Sequence, residues 1–226
     1  MNYKNNIKCA VFDLDGTLLN TIKSIHYYLN LALEKNGLGS VSEADCAAFV
    51  GDGAAWLIRR ALDSLGVSDK DTFDRVFADY NAAYDADPCY LTEIYDGMSE
   101  LLAELKRRGV TICVLSNKPD FVARATVSHF FGDLVTACYG SRPGMRLKPY
   151  PDVILAMLCD LGVRPDEAIC IGDSDQDIAT ARNASLAGCI SVTWGLRSEE
   201  HLISSGATDL AHSSAELIEV IRKYIC

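Results

Sequence analysis

Short apolar runs rich in branched residues recur along this chain at 7–12, 110–115, 134–139, 168–171 and 188–193, with longer stretches of helical spacing between them. Runs of that length predict buried strands, and strands alternating with helices predict a parallel sheet with crossover helices. The predicted helices cover 97–108, 119–131, 150–161, 175–186, 197–205 and 214–225. Asp120 after Pro119 and Asp152 after Pro151 mark two of the starts.

Residues 20–95 break this alternation. They contain no strand-like run, but Leu29, Leu33, Phe49, Trp56, Leu57, Ala61, Leu65, Phe73, Val76, Phe77 and Tyr80 recur at helical spacing. One crossover needs far fewer residues. The expectation is therefore an α/β domain formed by 1–19 and 91–226, with an all-helical subdomain inserted over 20–90 and hinges near 16–20 and 86–96.

Four of the apolar runs lead into polar patches. The first is Asp13-Leu14-Asp15-Gly16-Thr17, directly after Cys9-Ala10-Val11-Phe12. Open parallel sheets place their chemistry at the carboxyl ends of strands. Two carboxylates two residues apart repel unless a cation, a proton or backbone amides compensate, so the pair points to a metal or proton-transfer site. An acidic turn shaped by Gly16 is the plainer alternative. The other patches are Ser116-Asn117, Lys148-Pro149 and Gly172-Asp173-Ser174-Asp175-Gln176-Asp177. The last of these also reads as a helix cap.

In this order and over residues 13–177, the four patches resemble the haloacid dehalogenase superfamily of phosphatases. The resemblance implies a Rossmann-like open parallel sheet with helices on both faces, and a helical cap inserted after the first patch. It makes Asp13 the nucleophile and Asp15 the general acid and base. Ser116 and Asn117 become phosphate-binding groups, and Lys148 the cation on the phosphate. The implied metal set is Asp13, Asp173 and the Asp15 backbone carbonyl, a hard-oxygen arrangement suited to Mg2+. Thr17 and Asp177 take supporting roles. Asp15 separates phosphatases and phosphomutases from haloacid dehalogenases, which lack an acid there. Asn20 stands where related phosphatases often carry Asp, and 140–148 departs from the usual pattern, leaving Arg142 and Arg146 unassigned.

The core chemistry fixes the reaction and leaves the substrate open. Phe49-Val50-Gly51-Asp52-Gly53, followed by Arg59-Arg60-Ala61-Leu62, resembles the cap of phosphoglycolate phosphatases. The resemblance places Gly51 and Gly53 where backbone approaches substrate and Arg60 where it meets a carboxylate. Alternatively the glycines shape a helix entry and Arg60 pairs with a surface acid. A small phosphate monoester, phosphoglycolate first, is the expected substrate. A β-phosphoglucomutase-like isomerase, a pyrophosphatase or a nucleotidase could use the same core; a non-enzymatic receiver domain would lack the insertion and the first patch.

Composition narrows the remaining choices. Hydrophobic residues make up 49% and charged residues 23% of the 226, ordinary values for a globular protein. The net charge of −10 disfavours nucleic acid and anionic membrane as partners, and no run is long enough to cross a bilayer. Lys118, Arg142, Arg146 and Lys148 could provide a local positive site for an anionic substrate. The nine cysteines are odd in number and form no C-x-x-C; Cys9, Cys113, Cys170 and Cys189 lie in strand-like runs and read as small core residues. A cytoplasmic monomer or homodimer is the expected form.

Overall fold

The computed structural model describes residues 7–225. They form two compact units, one running through Asn20 and resuming at Ile94, the other spanning Thr21–Glu93.

After β1 (Cys9–Phe12) and the two-residue β2 (Leu19–Asn20), the insertion contributes α1 (Ile22–Lys35), α2 (Glu43–Phe49), α3 (Ala54–Ser64) and α4 (Lys70–Ala86). Ser42 and Asp69 cap α2 and α4 by accepting backbone N–H bonds from Asp45 and Thr72. Leu29, Leu33, Leu57, Ala61, Val76 and Tyr80 are buried as their spacing predicts. Trp56 is not: it is 57% exposed, and Ile58 and Leu62 fill the inward face of α3 with Leu57 and Ala61.

The chain then runs through β3 (Glu93–Ile94), α5 (Met98–Arg107), β4 (Thr111–Pro119), α6 (Asp120–Phe131), β5 (Ala137–Ser141), α7 (Asp152–Asp160) and β6 (Ala168–Gly172). It closes with α8 (Asp175–Asn183), β7 (Gly188–Val192), α9 (Glu199–Ser204), β8 (Asp209–Ala211) and α10 (Ser214–Ile225). Six strands form one sheet in the order β5-β4-β1-β6-β7-β8, every neighbouring pair parallel. This is the parallel α/β sheet predicted from the alternation, in the Rossmann-like form that the resemblance implied.

Alternation along β1 explains its uniformly apolar sequence. Ala10 and Phe12 pack in a core that includes residues of α5, α6 and α10, whereas Cys9 and Val11 pack in a second core with residues of α7. A strand covered on both faces has no polar side to show. Cys9, Cys113 and Cys170 are buried free thiols.

Two differences from the sequence reading have simple causes. The run 134–139 yields a strand only at Ala137–Ser141, because Gly132–Leu134 closes a 3-10 turn and Leu134 and Val135 pack at the edge of the core. The three-residue β8 is too short to register as an apolar run; it pairs with β7, and Tyr224 of α10 donates to Asp209 at its start at 2.9 Å.

From β1 the chain adds β4 and β5 on one side of the sheet and β6, β7 and β8 on the other. Such a reversal opens a crevice at the strands' carboxyl ends. Asp13, Ser116 and Asp173 all lie at or just beyond those ends.

Candidate active site

Asp13 is the first residue past β1, and its N–H still donates to Ile171 on β6 at 2.8 Å. Its Oδ1 accepts the Leu14 N–H at 2.7 Å. The following turn is tight: Gly16 donates to the Leu19 carbonyl at 2.9 Å and Leu18 to that of Leu14 at 3.1 Å. Gly16 has φ +83°, and a Cβ there would run into the Asp173 carboxylate. Both facts require glycine.

Asp173 follows β6 and is 2% exposed. Thr17 Oγ1 donates to its Oδ1 at 3.2 Å, and the Leu196 N–H donates to its Oδ2 at 2.7 Å. Trp194 Nε1 in turn donates to the Thr17 carbonyl at 3.2 Å. The loop after β7 therefore holds Asp173 both directly and through Thr17.

Asp177 has two tasks. Its Oδ2 accepts from the Ser174 N–H at 3.2 Å and from Ser174 Oγ at 2.5 Å, completing a capping box at the start of α8. Its Oδ1 accepts from Lys148 Nζ at 2.7 Å. The helix-cap reading of this segment therefore holds, and the other oxygen of the same carboxylate faces the buried lysine. Lys148 Nζ also lies 2.9 Å from Asp13 Oδ1, so one buried ammonium bridges two carboxylates.

Oxygens of Asp13, Asp173 and Asp177 all lie within 4.8 Å of one another. Burial raises the Asp13 pKa well above the usual carboxylate value; Lys148 opposes the shift, and Asp177 and Asp173 add to it. Burial, then Asp177, pushes Asp173 up to about 6 against the Leu196 N–H, Lys148 and Thr17. Burial works against the Lys148 ammonium, but Asp13 and Asp177 outweigh it and hold its pKa above the ordinary lysine value. With all three carboxylates ionised, the single ammonium would leave an excess of two negative charges, which is why burial resists that state without a further cation. A divalent cation with hard oxygen ligands matches both that charge and that donor set.

On the other side of β1, the β4–β5 register shifts. Leu115 pairs with Tyr139 and Pro119 with Ser141, so four steps along β4 oppose two along β5. The residues between these two pairs leave the regular ladder, as in a bulge. They are Ser116, Asn117 and Lys118, the polar patch of this strand. Ser116 is 3% exposed and its Oγ accepts the Lys118 N–H at 3.2 Å. Asn117 Oδ1 accepts the Lys148 N–H at 2.9 Å and its Nδ2 donates to the Lys148 carbonyl at 3.3 Å. Its amide clasps the Lys148 backbone and so fixes the bridging lysine.

The structure brings Asp13, Thr17, Lys148, Asp173 and Asp177 together, with Ser116 at the neighbouring strand end. Asp177, expected in support, belongs to the acidic group itself. The Asp15 carboxylate lies apart from that group, paired with Lys118 at 2.5 Å. Lys118 is the residue whose place the sequence did not reveal; its only sequence signal was a positive charge beside Ser116-Asn117. Arg142 pairs with Asp120 at 2.9 Å and lies over the Tyr139 ring, and Arg146 pairs with Asp152 at 2.8 Å.

Within the insertion, Gly51 and Gly53 have φ +135° and +86° at the entry to α3. Arg60 donates from Nη1 to the Phe49 carbonyl at 2.8 Å and pairs through Nη2 with Asp52. The guanidinium is thus engaged by its own turn.

Comparison with known proteins agrees with this geometry. Residues 10–190 match the model of the haloacid dehalogenase-like hydrolases. The phosphoglycolate phosphatase of Rhodospirillum rubrum is 33% identical over 93% of this chain and 89% of its own length. That of Vibrio vulnificus strain CMCP6 is 30% identical over 96% and 97%. A crystal structure from Lactobacillus delbrueckii subsp. bulgaricus, of a protein described as a candidate phosphoglycolate phosphatase, superposes with a TM-score of 0.89 at 32% identity, covering 98% of this chain and 99% of that one. With its motifs at the strand ends and most of its length matched, the chain belongs to the haloacid dehalogenase-like hydrolase family.

Proposed function

We propose that this protein is a Mg2+-dependent phosphoric monoester hydrolase acting on a small phosphate ester, phosphoglycolate first, through an aspartyl phosphate on Asp13. The observation that carries the reading is Asp13 at the sheet's carboxyl end, bridged by Lys148 to Asp177 and grouped with Asp173. The names of relatives at 30–33% identity support the substrate.

In the first half-reaction an Asp13 carboxylate oxygen attacks phosphorus while the bond from phosphorus to the leaving oxygen breaks. Asp15 protonates that oxygen. In the second, Asp15 takes a proton from water; the water oxygen attacks phosphorus, the bond to Asp13 breaks, and phosphate leaves with the carboxylate restored. Lys148 and the Ser116 hydroxyl offset charge on the phosphoryl oxygens. Asn117 positions Lys148. Asp13, Asp173 and Asp177, with the Asp15 carbonyl, would hold Mg2+, which when bound supplies charge neutralisation and orients the phosphoryl group.

The test is a phosphate-release screen over phosphoglycolate, pyrophosphate, sugar phosphates and nucleotides, with and without Mg2+. The reading expects Mg2+-dependent hydrolysis with phosphoglycolate preferred. Full activity after exhaustive chelation would remove the metal, and preference for a sugar phosphate or nucleotide would remove the substrate.

A further inference from the structure

We infer that Lys118 is the residue that selects the leaving group, and that it selects an ester bearing a carboxylate on the carbon next to the ester oxygen. This rests on the phosphatase reading above and deepens it.

The argument starts from Asp15. To protonate the leaving oxygen, its carboxylate must touch that oxygen. Whatever else touches Asp15 is therefore a neighbour of the leaving group's first atoms. Lys118 Nζ is 2.5 Å from Asp15 Oδ1, and the two side chains are only 9% and 15% exposed. This is not a solvated surface pair. It sets a positive charge, largely withdrawn from water, beside the first atoms of the leaving group.

The backbone fixes Lys118 in this place. It lies in the stretch of β4 that leaves the β5 ladder, and its N–H is tied to Ser116 Oγ. Gly140 on β5 approaches so closely that a Cβ there would stand 2.5 Å from the Lys118 carbonyl oxygen and 2.6 Å from Asp120 Cα. Those are backbone atoms with little room to yield, so the strand holds the lysine close to its observed position. Lys148 is committed to Asp13 and Asp177, and Arg60 to Asp52 and the Phe49 carbonyl.

A single methylene separates the ester oxygen of phosphoglycolate from its carboxylate. A cation touching the acid that contacts the ester oxygen can therefore reach that carboxylate as well. A substrate carboxylate beside Asp15 would meet the same positive charge, whose attraction does not depend on a single hydrogen bond. A neutral alkyl or sugar carbon at the same place would leave the charge less compensated in a partly desolvated site, which disfavours it.

The experiment compares kcat/KM of Mg2+-loaded wild type, Lys118→Met, Lys118→Gln and Lys118→Arg on phosphoglycolate, 2-phospholactate and ethyl phosphate, with a thermal melt of each. Ethyl phosphate replaces the carboxylate by a methyl group. Wild type should prefer both carboxylated esters over ethyl phosphate by about 100-fold or more. Lys118→Met and Lys118→Gln should lose about 100-fold on those esters, mainly in KM, and less than about tenfold on ethyl phosphate. Lys118→Arg should restore part of the preference. Equal losses on all three esters would reduce Lys118 to a positioning residue for Asp15 and overturn the inference. So would a wild type that hydrolyses ethyl phosphate as well as phosphoglycolate, a result that does not depend on any variant folding. A wild type that hydrolyses no phosphate ester would overturn the phosphatase reading itself, and this inference with it.

Discussion

At the carboxyl end of the sheet four charged side chains share one buried space, whereas the helical insertion keeps its charges outside and fills its interior with apolar groups and rings. Lys148 and Asp177 have side chains 4% and 1% exposed; Arg60 and Asp52 are 35% and 24% exposed. Inside the insertion, Tyr28, Tyr80 and Tyr84 pack with ring centroids 5.4–5.5 Å apart. Taking charges out of water is costly, and removing one partner of a buried pair leaves the other uncompensated. An exposed pair contributes little, because water replaces the lost partner. The same kind of contact should therefore matter greatly in one unit and slightly in the other.

The largest effect belongs to Lys148. Lys148→Met leaves Asp13 and Asp177 facing each other without their shared cation, and should destabilise the metal-free protein by about 3 kcal/mol in urea unfolding. Phosphoryl transfer should fall by roughly 1,000-fold or more. A variant as stable as wild type would show that the carboxylates do not depend on the ammonium.

Asp13→Asn should abolish turnover without loss of stability, because it removes the nucleophile together with one of three mutually repelling carboxylates. Its melting temperature without metal should equal or exceed that of wild type. A clear drop would mean that the Asp13–Lys148 pair outweighs the repulsion.

Smaller still is the pH effect on metal-free protein. Asp173 is pushed up to about 6 from 3.8 by burial and by Asp177. Between those values the native state holds a proton that the unfolded state has lost, so stability falls as pH rises through the window. Melting in chelator should be higher near pH 5 than near pH 7, and Asp173→Asn should reduce the difference, with the raised Asp13 keeping part of it. A wild-type stability that rises over this interval, with an Asp173→Asn profile parallel to it, would contradict the shift.

At the half-buried Arg60–Asp52 pair, Arg60→Ala should cost about 1 kcal/mol of stability. With the guanidinium held by Asp52 and Phe49, selectivity among esters should change by less than about fivefold. A loss of tenfold or more confined to phosphoglycolate would show that Arg60 exchanges Asp52 for the substrate, as the resemblance to phosphoglycolate phosphatase caps implied.

What the sequence made legible follows the same division. A strand buried on both faces must be apolar throughout, so carboxylates directly after Phe12 and Gly172 stand out, and Asp13 and Asp173 could be read without a structure. Lys118 could not, because its approach to Asp15 depends on a register shift between β4 and β5 that leaves no mark in composition. Asn117 illustrates a second limit: its amide suits a phosphate oxygen or a backbone equally, and only the fold brings the Lys148 backbone to it. The segment 172–177 read as either helix cap or metal site; one oxygen of Asp177 caps α8 and the other meets Lys148, a partner that no spacing within the segment announces. In the insertion, helical spacing located the inward faces, but Trp56 lies just outside the stripe set by Leu57, Ile58, Ala61 and Leu62.

The central claim is that phosphate passes through Asp13, and acid quench of a single turnover tests it most directly. Asp15→Asn should form the phosphoenzyme from nitrophenyl phosphate, whose leaving group needs no proton, and hydrolyse it slowly for want of the base. Peptide mass spectrometry should then find one phosphoryl group on the peptide containing Asp13, labile to hydroxylamine and missing in an Asp13→Asn, Asp15→Asn double variant. Nitrophenol release in the first turnover with no phosphoryl group on that peptide would mean that water attacks phosphorus directly, contradicting the account.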